Sequence, residues 1–364
     1  LMNPTVKVNA KQVRRSKLVS SLREAIEKCE IKDGMTISFH HHFRAGDKLL
    51  MQVVDILAEM GLKNLRIAAS SLTSAHNGLV AHIENGVVNR IETSGLRGKL
   101  AQAVSEGVLE YPAVIRSHGG RARAIASGDV KIDVAFLAAS SADCMGNANG
   151  VKGKSICGAM GYAKVDAQYA EKVVVVTDTL VPYPNFPQSI PQTQVDYVCV
   201  VDEVGDSSGI MSGATRFTNN PKELLQAKRA VEVMKATGLF VKQDIKLSYA
   251  LGGITAPMVD LLENGLVDTL FDTQSFDLTA AESCGRNEKH VEVSADFYAS
   301  IGNKSAAVNR LDFVLLSALE IDTDFNVNVI SGSDGVIRAA SGGHSDTAAM
   351  AKVSIMLAPL TRGR

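Results

Sequence analysis

Tryptophan is absent from this 364-residue chain, and all aromatic residues together make up 5% of it. A core without large rings must be filled by Val, Ile, Leu and Ala, as in proteins with buried parallel strands. No apolar run reaches the ~18 residues of a membrane span. Net charge is also nearly absent, at −1, which removes the electrostatic case for nucleic acid. Two short basic clusters remain. Arg14-Arg15 reads as solvated surface; the run from Arg116 to Arg123 lies beside Gly119-Gly120 and is a candidate to meet a ligand phosphate. The five cysteines, Cys29, Cys144, Cys157, Cys199 and Cys284, are scattered and form no C-x-x-C pair. That argues against a disulfide framework or a cysteine metal site, and for reduced thiols in a cytosol. The N-terminus shows no basic-then-apolar leader. It opens with Leu1, so a longer natural chain is expected.

Hydrophobic residues at 46% and charged residues at 21% describe a globular chain. At roughly 100–200 residues per domain, its length suggests two domains. Helical and strand patterns alternate. A helix is expected over Ser16–Glu30, with Leu18, Leu22, Ile26 and Cys29 on one stripe. A strand follows at Met35–Phe39, then a helix at Asp47–Met60 with Asp at its start and Gly61 after it. Further strands are expected at Leu65–Ala69, Ile132–Ala138 and Val173–Val176. This order predicts an α/β fold with mainly parallel sheets and crossover helices.

The chain also repeats itself. Glu84-Asn85-Gly86 recurs as Glu263-Asn264-Gly265, Asp133 as Asp312 and Asn147 as Asn326, each 179 positions on. Two similar halves follow from this, 1–220 and 221–364. A Thr-Asn-Asn-Pro turn at the seam opens a helix over Lys222–Met234. The second half is short by one unit: nothing in it matches the strand, loop and helix of Met35–Met60. A strand-loop-helix segment is therefore expected between Phe240 and Val241 in the natural protein.

Five segments could carry chemistry. Ser38–Asp47, with His40-His41-His42 and Arg44, joins a strand end to a helix start, where α/β folds bind ligands and anions. Successive side chains of an extended run point oppositely, so three adjacent histidines do not make a metal site, and none is expected. One of them in the core and two at the surface is the plain alternative to a polar pocket. Ser94–Gly98, with Arg97, and Ser117–Arg121 pair glycines with a guanidinium fork, or are ordinary turns. The Asn147–Gly150 loop and its counterpart at Asn326 read as structural. Glu320, after a buried strand, is a candidate base or acceptor, or a cap. Ser341–Thr347, with Gly342, Gly343 and His344, has the pattern of a backbone nest for an anion.

Together, Ser38–Asp47, Thr93–Gly98, Asn147–Gly150, Gly161–Asp166, Leu251–Thr255, Ser317–Val329 and Ser341–Thr347 resemble the citrate lyase α subunit, a citrate CoA-transferase. The likeness spans almost the whole chain. It implies two halves of CoA-transferase fold. It implies exchange of acetyl for citrate on a thioester, carried by a CoA-like phosphopantetheine arm of an acyl carrier protein, the γ subunit. A β subunit would then cleave the citryl thioester. In this reading His41, Arg44 and Arg97 hold the carboxylates of citrate. Gly252, Gly253, Gly342, Gly343 and His344 face the arm, and Glu320 matches a family glutamate. A cytoplasmic, oligomeric protein is implied.

Related transferases that form a glutamyl-CoA intermediate carry a Glu soon after the strand matching Tyr249–Gly252. Here Ile254-Thr255-Ala256-Pro257-Met258 holds none. Direct attack of a substrate carboxylate, through a mixed anhydride, is implied instead. Two departures stand out. The family's Gly-rich loop falls in the part expected after Phe240, and the family usually continues past Arg364. Citramalate CoA-transferase and acyl-CoA hydrolase are alternatives within the fold; a carrier scaffold or sugar-phosphate sensor is one outside catalysis.

Overall fold

Continuous apolar runs become the middle of a parallel sheet. The computed structural model describes residues 16–211, 218–238 and 247–360. In the first half the strands are β1 (Leu18–Val19), β2 (Thr36–Phe39), β3 (Leu65–Ala69), β4 (Val88–Thr93), β5 (Val114–Ile115) and β6 (Val134–Ala139). A small hairpin, β7 (Ser141–Ala142) and β8 (Ala148–Asn149), precedes β9 (Lys172–Thr177) and β10 (Tyr197–Val200). Eight of these make one sheet in the order β1-β10-β9-β6-β2-β3-β4-β5, parallel at every pairing. All residues of β2 and β6 are buried, as strands covered on both faces must be.

Helices α1 (Leu22–Lys28), α2 (Leu49–Glu59), α3 (Leu79–Glu84) and α4 (Gly98–Ser105) pack on one face. Against Ile37, Ile67, Val134 and Phe136 they bury Leu22, Ile26, Leu50, Val54, Leu57, Leu79 and Leu100. Helices α5 (His118–Ser127) and α6 (Gly161–Tyr169) cover the other face, where Ala135, Leu137, Val173 and Val175 meet Ala122, Ile125 and Ala163. Alternate residues of each strand thus serve different layers.

Two expected boundaries shift. The stretch read as one helix from Ser16 begins as β1, because Leu18 and Val19 pair with Val198 and Cys199. The helix starts only after Ser21, whose side chain accepts from the Glu24 N–H. Asp47 is not the cap residue of α2; it lies one position earlier. Its Oδ1 accepts from the Leu50 N–H at 3.2 Å and faces His76 Nε2 at 3.3 Å.

The second half repeats the plan. Helix α7 (Pro221–Ala236) leads to β11 (Leu247–Ile254), α8 (Ala256–Glu263), β12 (Val267–Ser275), α9 (Leu278–Arg286) and β13 (His290–Glu292). Then come α10 (Ala295–Ala299), β14 (Phe313–Ser317), the hairpin β15 (Glu320–Ile321) and β16 (Val327–Asn328), α11 (His344–Met350) and β17 (Val353–Leu357). The repeat extends to individual bonds. Asp143 Oδ1 accepts from the Asn147 N–H at 3.2 Å and Oδ2 from its Nδ2 at 2.7 Å. Asp322 and Asn326 make the same pair of bonds, both at 2.8 Å. Both loops are structural, as read. The strands form two sheets, β11-β12-β13 and β14-β17. The segment expected between Phe240 and Val241 lies outside the described residues.

The halves meet backbone to backbone. A β-carbon on Gly119 would overlap the Ala299 carbonyl, one on Gly161 the Val293 carbonyl, and one on Gly95 Ala340. Asp346, buried in α11, accepts from the Gly119 N–H at 2.9 Å and from the Ser117 hydroxyl at 2.7 Å. It therefore caps a helix of the opposite half.

Candidate active site

The loop after β2 turns at His41–Arg44 into a short 3-10 helix, Arg44–Gly46, instead of running on extended. All three of its histidines are consequently buried, His40 at 4%, His41 at 8% and His42 at 1% exposure. This corrects the alternative of one core and two surface histidines. His42 Nε2 meets the Ala138 carbonyl at 2.8 Å, and His40 stacks on His42 with ring centroids 3.9 Å apart. His41 turns the other way. Its Nδ1 lies 2.6 Å from the Ser70 hydroxyl, and its ring stacks on Tyr162 at 5.1 Å and His118 at 6.0 Å. Burial, before any neighbouring charge, holds His40 and His41 well below the usual imidazole range. Burial likewise brings His118 down to about 3. These rings are neutral at physiological pH.

Arg44 supplies the charge. Its backbone is left-handed, with φ of +53°, and its side chain reaches the opposite half. The guanidinium lies 4.3 Å over the Phe276 ring. Desolvation, then the nearby Arg97 cation, lowers its pKa to about 10, so it remains charged. Its Nη1 is buried with no hydrogen-bond partner among the described residues. Across the seam Gln274 donates from Nε2 to the His41 carbonyl at 2.7 Å. Its own Oε1 and the Thr273 hydroxyl are likewise buried and unpartnered. Buried polar atoms without partners cost about 1–3 kcal/mol each. Arg44 from one half and Thr273 and Gln274 from the other each contribute such an atom at this seam, which a polar ligand would satisfy.

The opposite wall is built from glycines. Gly342 has φ of +53° and Gly252 φ of +110°. A β-carbon on Gly342 would sit 3.7 Å from both His118 Nε2 and His344 Nδ1. One on Gly343 would overlap the Tyr298 hydroxyl, and one on Gly252 would lie 3.5 Å from it. Gly253 packs beneath Phe276, where a β-carbon would come within 2.5 Å of the ring. The Gly342 carbonyl accepts from the His118 N–H at 2.8 Å.

The structure thus brings together His41, Arg44 and Arg97, and, around Tyr298 and His118, Gly252, Gly342, Gly343 and His344. Glu320 is not part of this cluster. It pairs across the β15–β16 hairpin with Asn328, and its carboxylate accepts from the Ser333 N–H and hydroxyl and from Asn328 Nδ2. The Ser333 hydroxyl holds its pKa below the ordinary value. Sequence reasoning passed over Thr273, Gln274, Phe276 and Tyr298. Thr273 and Gln274 carried a signal, being polar residues at the carboxyl end of a parallel strand. Tyr298 carried none, because Gly252 and Gly343, against which it packs, are distant in sequence; Asp346 lies in the Ser341–Thr347 segment, but its bond to Gly119 across the seam could not be read there. Among the described residues one grouping of potential metal ligands occurs, Asp272, Cys284 and His290, with Asp272 and His290 already 3.0 Å apart in a hydrogen bond.

A polar cleft at the carboxyl ends of parallel strands, between two repeated α/β halves, is the architecture of CoA-transferases. An acyl-CoA transferase from Escherichia coli O157:H7 superposes with a TM-score of 0.62 over 96% of this chain and 82% of that one. At 18% identity that likeness shows the fold alone. The chain itself belongs to the citrate lyase α subunit family, whose model matches residues 15–243 and 239–364. The citrate lyase α chain of Escherichia coli K12 is 51% identical over 387 residues, covering 100% of this chain and 76% of that one. The crystal structure of a citrate lyase α subunit from Streptococcus mutans, in complex with citrate, matches with a TM-score of 0.93 and 55% identity. It covers 97% of this chain and 74% of that one.

Proposed function

We propose that this chain is the citrate CoA-transferase of a citrate lyase complex, exchanging acetyl for citrate on a carrier-bound thioester. The observation that carries the reading is the buried, unpartnered Nη1 of Arg44, beside Arg97 and the neutral His41. Two cations in one cleft suit a ligand with several carboxylates. The citrate held by the Streptococcus mutans relative supports the same assignment.

In this reading a citrate carboxylate oxygen attacks the acetyl carbonyl carbon and the C–S bond breaks. The thiolate leaves, and a citric-acetic anhydride remains. The thiolate then attacks the citryl carbonyl of the anhydride, and acetate departs. No proton is consumed. Negative charge gathers on carbonyl oxygen in both steps, so the protein's task is orientation and donation to oxyanions. Arg44 and Arg97 hold the substrate carboxylates. Tyr162, whose hydroxyl burial keeps protonated, is a neutral neighbour of His41. Gly252 and Gly342 would leave room beside the backbone for the pantetheine arm, while Gly343 lets the Tyr298 hydroxyl close against the chain. The arm supplies the thiol. No carboxylate stands in the Ile254–Met258 stretch to form an acyl-enzyme. An acyl carrier protein and a citryl-cleaving subunit are the partners implied, in an oligomeric, cytoplasmic assembly. No helix among the described residues is long and apolar enough to cross a membrane.

The test is incubation with acetyl-CoA and citrate, citramalate or water alone, following acetate and acyl-CoA. Citryl-CoA formed from citrate without free CoA is the expected result. Free CoA and acetate without an acceptor would mean a hydrolase, and citramalyl-CoA in preference to citryl-CoA would change the substrate.

A further inference from the structure

Two neighbouring strands end on the same device. β3 ends at Ala69 and β4 at Thr93, and a fully buried serine follows each, Ser70 and Ser94. Each hydroxyl meets the Nδ1 of a histidine from another part of the chain. Ser70 meets His41 at 2.6 Å, and Ser94 meets His118 at 3.1 Å. The two imidazoles lie 6.0 Å apart with planes 21° from parallel, and Tyr162 packs against both.

A hydroxyl beside a neutral ring nitrogen can donate or accept. Burial decides between the two. The Ser70 oxygen already accepts from the His41 N–H at 3.1 Å. If Nδ1 donated to it as well, the hydroxyl proton would be shut in without an acceptor, at a cost of about 1–3 kcal/mol. Among the described residues the Ser94 hydroxyl bonds to His118 alone, so the same penalty applies. Each serine therefore donates, each Nδ1 accepts, and the one proton of each neutral ring sits on Nε2.

Neither Nε2 has a hydrogen-bond partner among the described residues, and neither is fully enclosed, unlike both ring nitrogens of His40. The position of His118 is fixed from both halves. Its N–H donates to the Gly342 carbonyl at 2.8 Å, and the Gly342 N–H donates to the Ser94 carbonyl at 3.4 Å. With the Ser94 hydroxyl on Nδ1, these contacts close a ring around the imidazole. A β-carbon on Gly342 would lie 3.7 Å from Nε2. The proton on Nε2 thus faces the room left for the arm that carries the thioester.

We propose that His118 is a catalytic residue, donating from Nε2 to the acyl carbonyl oxygen as negative charge gathers there, and that Ser94 is the positioning residue that fixes its tautomer. Ser70 fixes His41 in the same way, so that a second neutral Nε2–H meets a citrate carboxylate. Resting on the transferase reading, this gives the oxyanion of both steps a named donor. The imidazole gives a hydrogen bond and keeps its proton, so the balance of the two attacks is unchanged. The tautomer also bears on the acceptor. An Nε2 that carries the proton offers the cleft no lone pair, so neither ring takes a proton from water. A carboxylate needs no such help to attack.

Two measurements test this. The first is heteronuclear NMR of the full chain with isotopically labelled histidine at neutral pH, where protonated and bare ring nitrogens resonate far apart. His118→Gln and His41→Gln identify the two signals by their loss. Both histidines are expected with a bare Nδ1 and a protonated Nε2, and Ser94→Ala should turn His118 alone into a mixture of tautomers. The second is acetyl transfer from acetyl-CoA to citrate. The amide nitrogen of Gln takes the place of Nε2, and that of Asn the place of Nδ1. His118→Gln should keep kcat within about 10-fold of the original, whereas His118→Asn should lose about 100–1,000-fold, the worth of one oxyanion donor. KM for citrate should move little in either. A proton on Nδ1 of His118 overturns the proposal. So does an equal loss in the two variants when both unfold at the denaturant concentration of the original chain. Free CoA released by the unaltered chain without citrate would sink the transferase reading instead, and the tautomers read by NMR would stand apart from it.

Discussion

At the scale of single residues, Arg44 combines a function with a conformational cost. A non-glycine residue in the left-handed region costs of order 1 kcal/mol, and Arg44 holds φ of +53° there. Arg44→Gly should therefore unfold at equal or higher denaturant than Arg44→Ala, while both lose citrate. A rise of about 100-fold in KM for citrate is expected, the worth of a charge-assisted hydrogen-bond pair. Arg44→Lys should recover only part of it, since an ammonium cannot present the planar fork; initial rates against citrate concentration measure both. Gly343→Ala should abolish exchange by pushing its β-carbon into the Tyr298 hydroxyl. Adding Tyr298→Phe should restore part of the activity by removing that oxygen. Arg44 and His41 were legible as polar residues at a strand end. The burial of His40 and His42 was not, because period-two reasoning assumes an extended chain and the loop is folded into a tight turn at Arg44–Gly46.

Among the elements, α5 shows why part of the site could not be read locally. Its first turn reads as Ser117-His118-Gly119-Gly120, and the Ser117 cap on Gly120, at 2.9 Å, is a local signal. The second cap, Asp346 on Gly119, comes from a residue 227 positions away. Removing it as Asp346→Ala should cost about 2 kcal/mol by denaturant unfolding. It should also loosen His118, the residue of α5 that faces the cleft, so that citrate exchange falls further than stability alone explains. Strands such as Leu65–Ala69 were legible to the residue, being short apolar runs bounded by polar turns. β1 was not, because its two residues owe their conformation to their partners in β10, 180 positions later.

For the whole molecule, the repeat and the layered α/β plan were legible because both are periodic in sequence; the seam was not, since nothing periodic records it. The seam also sets the acid response. Burial holds the folded-state pKa of His40 and His41 well below the ordinary 6.5, and His118 near 3. Below pH 6.5 the unfolded chain binds protons that the folded chain refuses, so stability falls as pH falls. Each such histidine contributes up to ~1.4 kcal/mol per pH unit. Unfolding free energies measured from about pH 7 to pH 5 should decline, and His40→Leu should flatten the slope by roughly one histidine's share. The glycine contacts at Gly95, Gly119 and Gly161 have a consequence of another kind. Glycine can change only by gaining atoms, and at these three points the space for those atoms is occupied by the backbone or a β-carbon of the opposite half. Genetic drift there has one direction, and it is blocked. In a library of all single substitutions selected for growth on citrate, these three codons should be silent to everything but synonymous change, while exposed glycines such as Gly302 vary freely.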